Sequence, residues 1–176
     1  MGFGVPVNEL KKLLADTDPI PMKKWLTIGI LDQFEWNPVM NGVWKQRAGI
    51  ISAMGLGNGF GGRMLCLNQT KFPKLPFEIE VEVQLENESG AAGLVFHSDG
   101  KNKHYGFYPT NGSIRLTRFE GPNVFSWTIL DTIQSQAYLP GEWNRLRVRL
   151  EENGRMICTV NDEVVIDMID HGLKGG

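Results

Sequence analysis

The residues best suited to chemistry stand in FEIEVEVQLE, residues 77–86, where Glu78, Glu80 and Glu82 alternate with Phe77, Ile79, Val81 and Val83. On an extended strand alternate side chains share a face and lie about 6.5–7 Å apart. A glycosidase needs two carboxyls at about 5–9.5 Å, so the spacing permits such a pair. One of the two must also keep its proton near neutral pH, which requires a raised pKa. A second stretch, WNRLRVRLE at 143–151, sets Arg145, Arg147 and Arg149 at the same alternation, with Trp143, Leu146, Val148 and Leu150 toward apolar surroundings and one break in parity after Trp143. If the two segments are neighbouring strands, the arginines meet the glutamates and hold the carboxyls ionised, which removes the acid. The glutamates are therefore weak catalytic candidates, and the six residues together read as a structural charge ladder.

A second group suits binding. His97 and His104 bracket a tight turn, Tyr105 and Tyr108 lie on the segment that follows, and Arg115, Arg118 and Trp127 lie on the next two. Aromatic faces stack on sugar rings and guanidinium groups bind hydroxyls, although the same residue types also fill sandwich cores. Asp99, Asn102 and Asp131 offer oxygens to a calcium ion, but no loop has the acidic density of a calcium site, so no metal or other cofactor is assigned. The glycine-rich GLGNGFGG at 55–62 has no Walker lysine and no strand-to-helix setting, and reads as a flexible loop between strands rather than a phosphate cradle. Neither GxSxG nor HExxH occurs. Cys66 and Cys158 stand apart without a Cys/His group, which disfavours zinc and leaves two buried thiols or a single disulfide.

The elements that must position these residues are mostly strands. A chain of 176 residues with 21 glycines and nine prolines has room for one domain rich in turns. VNELKKLLADTD spaces Val7, Leu10, Leu13 and Leu14 as a short amphipathic helix, which Asp18-Pro19 and Pro21 end. From Trp25 onward short apolar or alternating runs predict strands at 43–52, 63–68, 77–86, 91–98, 104–109, 113–119, 126–133, 143–151, 155–160 and 163–168. SDGKN, TNG, LPGE, ENG and ND supply the turns between them. The expected division is an N-terminal helix and linker over 1–24 and a β-sandwich over 25–176. The net charge of −2 gives no footprint for nucleic acid, and no apolar run approaches the roughly 18 residues needed to span a bilayer. No signal peptide is evident, and the compartment stays open.

The order FEIEVEVQLE, GAAGLVFHSDGKNKHYGFY, LPGEWNRLRVRLEENGRMICTVNDEVVID resembles the concanavalin A-like jelly roll of the laminin-G-like and 3-keto-disaccharide hydrolase-like group, over roughly residues 40–176. That resemblance implies an all-β, two-sheet antiparallel sandwich in which the glutamate and arginine strands are neighbours. It also implies non-catalytic recognition of a glycan or a protein partner within a larger protein. Two departures bear on function. The laminarinase-type E-x-D-x-(x)-E motif has Glu80 where aspartate belongs, and GLGNGFGGRML replaces the GGWL-type segment of the enzymatic members. A glycoside-processing enzyme is thus the alternative. Family members also continue past the equivalent of HGLKGG into a closing strand pair. The resemblance therefore implies a third role, a scaffold whose last strand comes from a companion peptide by β-augmentation.

Overall fold

The computed structural model describes residues 28–173 together with Lys11, so the expected N-terminal helix lies outside the described residues. Twelve strands follow in order: β1 (Trp36–Val39), β2 (Val43–Arg47), β3 (Ile50–Met54), β4 (Leu65–Asn68), β5 (Phe77–Val83), β6 (Leu94–Phe96), β7 (His104–Thr110), β8 (Ser113–Phe119), β9 (Trp127–Ile133), β10 (Asn144–Leu150), β11 (Arg155–Val160) and β12 (Glu163–Ile169). The chain is all-β in the described residues. Two four-stranded antiparallel sheets, ordered β12-β11-β10-β5 and β6-β7-β8-β9, carry most of it, with β1-β4 and β2-β3 as two-stranded additions.

Alternation builds the interior. Leu146, Val148 and Leu150 of β10 and Met156, Cys158 and Val160 of β11 meet Phe96, Tyr105, Phe107, Ile114 and Leu116 of the other sheet in one buried cluster. Every one of these is at most 4% exposed, and a side chain so buried contributes about 1.5–3 kcal/mol relative to leaving it in water. Phe77, Ile79, Val81 and Val83 of β5 pack on the same cluster but stay half-buried, because β5 is an edge strand among the described residues.

Two-residue turns set the hairpins. Asn111-Gly112 and Asn161-Asp162 both take left-handed φ, the geometry that lets a tight loop follow the twist of its strands. A third such turn, Ala48-Gly49, divides the expected strand 43–52 into β2 and β3. Alanine has no side-chain polar group to favour αL locally, so the break leaves little trace in the residue types. The expected strand at 63–68 starts at Leu65 and pairs with β1, which Pro38 conceals in the sequence.

Two polar clusters close the ends. Tyr105 Oη and the Arg118 guanidinium, on β7 and β8, both donate to the Asp170 carboxylate just after β12, and Leu173 N–H donates to Tyr105 Oη at 3.0 Å, which ties the chain after β12 to the opposite sheet. At the other end Asn144, not Trp143, is the inward residue: Asn144 is 1% exposed and Trp143 is 49% exposed. The Asn144 side chain accepts from Leu139 N–H at 2.8 Å and donates to the Leu139 and Glu142 carbonyls at 2.8 and 2.9 Å. Asn161 Nδ2 donates to its Oδ1 at 2.9 Å. This network corrects the expected inward Trp143: the 139–142 turn needs an internal amide, which an indole with a single donor cannot replace.

Asn144→Ala should cost about 2–4 kcal/mol, since it leaves several partners unsatisfied, whereas Trp143→Ala should cost less than about 1 kcal/mol. Urea denaturation of the two variants measures both.

Candidate ligand-binding face

With Tyr105, Phe107, Ile114 and Leu116 in the core, the alternate residues of β7 and β8 face away from the other sheet. These are His104, Gly106 and Tyr108 on β7, and Arg115, Thr117 and Phe119 on β8. The register assembles them: His104 lies opposite Phe119, Gly106 opposite Thr117, and Tyr108 opposite Arg115, while Trp127 of β9 lies opposite Phe119. The middle of this face is low, because a Cβ on Gly106 would come within 3.1 Å of the Tyr108 ring and of Thr117 Oγ1.

The glycine-rich segment packs over one end of the face and is not a free loop. Gly57 N–H donates to the Gly62 carbonyl and Asn58 N–H to the Met40 carbonyl, both at 2.8 Å, and a short 3-10 turn spans Phe60–Gly62. A side chain at Gly57 would run into the Arg63 and Met40 carbonyls, so the close approach requires glycine there. The segment delivers Arg63, whose Cζ lies 4.0 Å above the Phe119 ring centroid. Phe119 in turn stacks on His104 at 4.8 Å and on Trp127 at 6.0 Å, and Phe60 meets Trp127 at 5.9 Å. A shallow cavity of about 320 Å³ opens between Met40, Asn58, Lys101 and Asn102, and Met40 Sδ on its wall lies 3.5 Å from Arg63 Nε.

The electrostatics are those of an electropositive, partly dry surface. Burial pushes the His104 imidazole down to about 4, with the nearby Arg63 charge adding to the effect and Asp99 opposing it. Burial also lowers the Arg63 pKa, against the influence of Tyr108. Arg63 Nη1 and Nη2, Arg115 Nε and Trp127 Nε1 are buried without a hydrogen-bond partner among the described residues.

His104, Tyr108, Arg115 and Trp127 of the expected binding group thus share one face. Tyr105 and Arg118 do not join them: they point to the opposite side of the same sheet, where burial first and the Asp170 hydrogen bond second raise the Tyr105 hydroxyl to about 12. Burial alone would raise the Asp170 carboxyl, but donors from Tyr105, Gly172 and Arg118 lower it overall. His97, with φ 51°, sits among Phe72, Phe96 and Tyr105 on that other side. The separation is written in the sequence, because residues an odd number apart cannot share a face of an unbroken strand, as Arg115 and Arg118 or His104 and Tyr105 cannot. Phe119 was discoverable by the same parity. Arg63 was not, since only the tertiary packing of FGGRM carries it there.

The glutamates occupy the outer face of the other sheet. Register sets Glu78 opposite Arg149, Glu80 opposite Arg147 and Glu82 opposite Arg145. Arg147 reaches Glu80 at 2.9 Å, Glu78 at 3.4 Å and Asp162 at 3.0 Å, while Arg145 turns to Asp162 and Arg149 to Glu151. All three glutamates are exposed on the strand's outer face. Asp99 and Asn102 lie in the β6–β7 turn and Asp131 lies on the far edge strand β9. Among the described residues no three of His, Cys, Asp and Glu converge to hold a metal ion. Cys66 and Cys158 are both free thiols. No helix among the described residues is long and apolar enough to cross a membrane.

No protein-family model, curated protein or solved structure matches the chain.

The depressed His104 pKa has a defined sign in stability. The unfolded imidazole binds its proton near the ordinary 6.5 and the folded one only near 4, so stability is full above about 6.5 and falls as the pH drops toward 4. The loss amounts to at most about 3 kcal/mol. Thermal melts from pH 7 to pH 4 should show this decline, and His104→Gln should flatten it within that window.

Proposed function

We propose that this chain is a non-catalytic recognition domain that binds a glycan on the outer face of the β6–β9 sheet, within a concanavalin A-like jelly roll of the laminin-G-like type. The observation that carries the proposal is the half-buried row Trp127, Arg63, Tyr108 and Arg115 on one sheet face, with His104 and Phe119, 1% and 7% exposed, buried beneath it. Aromatic side chains next to immobilised polar donors are what a shallow saccharide site needs. Phe125, 96% exposed in the turn before Trp127, adds an apolar surface at its rim. Against a glycoside-processing enzyme stand the exposure of Glu78, Glu80 and Glu82 and the engagement of two of them by Arg147.

A glycan array probed with the purified protein should give a defined set of binders. Trp127→Ala and Tyr108→Ala should lose that binding while retaining the parent fold by circular dichroism. Glu78→Gln and Glu80→Gln, on the other sheet, should bind as the parent does and melt within about 3 °C of it, as exposed ion pairs contribute little. An array with no binder at all would sink the proposal.

One observation favours a second role, completion of the sandwich by a strand from another segment or chain. The inward residues of β5 remain half-buried while those of β10, its neighbour, are 0–2% exposed, and β5 has no second partner among the described residues. Hydrogen exchange decides the point. Alternate β5 amides should exchange rapidly if the edge is open, and uniform protection along β5 in the native protein would show that a strand covers it.

A further inference from the structure

We propose that residues 7–16, VNELKKLLAD, dock as an amphipathic helix on the outer face of the β2–β3 hairpin of the same chain. This role goes beyond glycan recognition and concerns a different surface.

The hairpin has one face covered and one face bare. Alternation turns Gln46, 2% exposed, inward with the half-buried Trp44 and Ile51, and Gln46 Oε1 accepts from Asp32 N–H at 3.5 Å. On the outer side Val43 stands opposite Met54, Lys45 opposite Ser52 and Arg47 opposite Ile50, and a bridge from Ile28 to Arg47 adds Ile28 to the same side. Ile28, Val43, Ile50 and Met54 are 72%, 55%, 54% and 61% exposed. The open face of an antiparallel sheet is ordinarily polar, so four large apolar side chains gathered around two cations mark a surface that takes a cover. A hairpin of two strands is also marginal by itself and gains stability when a helix packs on it.

Pattern, charge and tether select the occupant. The sequence spaces Val7, Leu10, Leu13 and Leu14 in one helical apolar stripe, with Glu9 and Asp16 toward one margin and Lys11 at the other; Lys11, the described residue of this segment, is exposed. The two acids complement Lys45 and Arg47, which alternate on β2 in the middle of the apolar face. Residues 15–27 join the stripe to Ile28, itself part of that face. At about 3.3 Å per residue they span roughly 40 Å, more than twice the length of a five-residue strand. A segment tethered in this way meets its site at an effective concentration of about millimolar, which a second copy of the chain reaches only in a comparably concentrated solution. Two cations on a chain of net charge −2 are a weak basis for holding an anionic membrane surface instead.

The test uses the full chain with a photo-crosslinking benzoylphenylalanine in place of Leu13. Irradiation at low micromolar concentration should join that position to residues 43–54 within the monomer band, as mapped by mass spectrometry. Hydrogen exchange gives a second measurement. Leu10→Asp together with Leu13→Asp should speed exchange of the β2 and β3 amides about tenfold or more and leave those of β7 and β8 at the parent rates. Glu9→Lys with Asp16→Lys should act in the same direction, and adding Lys45→Glu and Arg47→Glu to that pair should return the exchange toward the parent. Crosslinks that fall elsewhere, join two chains or fail to form overturn the docking, as does β2–β3 exchange indifferent to the leucine variants. Binding to phosphatidylserine vesicles that Ile50→Asp and Met54→Asp abolish, without a crosslink inside the chain, would make the face a membrane surface and equally overturn it. None of these outcomes bears on glycan recognition.

Discussion

The pleat of the two large sheets is the constraint from which the rest follows. A strand in a two-layer fold directs every second side chain inward, and β10 meets this demand completely: Leu146, Val148 and Leu150 are 0–2% exposed, with β5 on one side and β11 on the other. The arginines between them are forced outward by the same geometry. On the opposite sheet, Tyr105, Phe107, Ile114 and Leu116 are forced in, and His104, Tyr108, Arg115 and Phe119 out. One rule therefore makes both the core and the two chemically distinct outer faces.

Those faces differ in how their charges are satisfied. On the β5–β10 side acids and arginines meet in water, where ion pairs contribute little. On the β6–β9 side the glycine-rich segment covers part of the sheet and sets Arg63 on the Phe119 ring with no carboxylate partner among the described residues. Desolvation then has a visible consequence in the His104 imidazole, which a neighbouring guanidinium and burial together keep neutral at ordinary pH. A surface of the first kind is stable and inert. A surface of the second kind holds polar groups at an energetic cost, as binding sites commonly do.

The two closing clusters explain why the sheets hold their relation. Asp170 draws Tyr105 and Arg118 across from the other sheet, and Asn144 and Asn161 clasp the 137–142 segment at the opposite end. Each replaces inward apolar packing with directional bonds where the strands run out. Asn144 in particular occupies an inward position that hydropathy assigns to its neighbour Trp143, because the number and direction of hydrogen bonds outweigh apolar area at a tight turn.

Local pattern alone determined the strand character of most of the chain, the Asn-Gly and Asn-Asp hairpins, and the alternation that sets glutamates and arginines outward, since side-chain period and turn chemistry act over a few residues. It also contained, in the parity of SIRLTRF and HYGFY, the division of the proposed binding residues between two faces. It did not contain the β2–β3 turn at Ala48-Gly49, whose residue types announce it weakly, or the β1–β4 pairing across some thirty residues. Above all it did not contain the arrival of Arg63 on Phe119. That contact joins a glycine-rich segment to a strand more than fifty residues later in the chain. Only the folded chain decides it, because the covering of one sheet face depends on contacts between segments that carry no signal of one another.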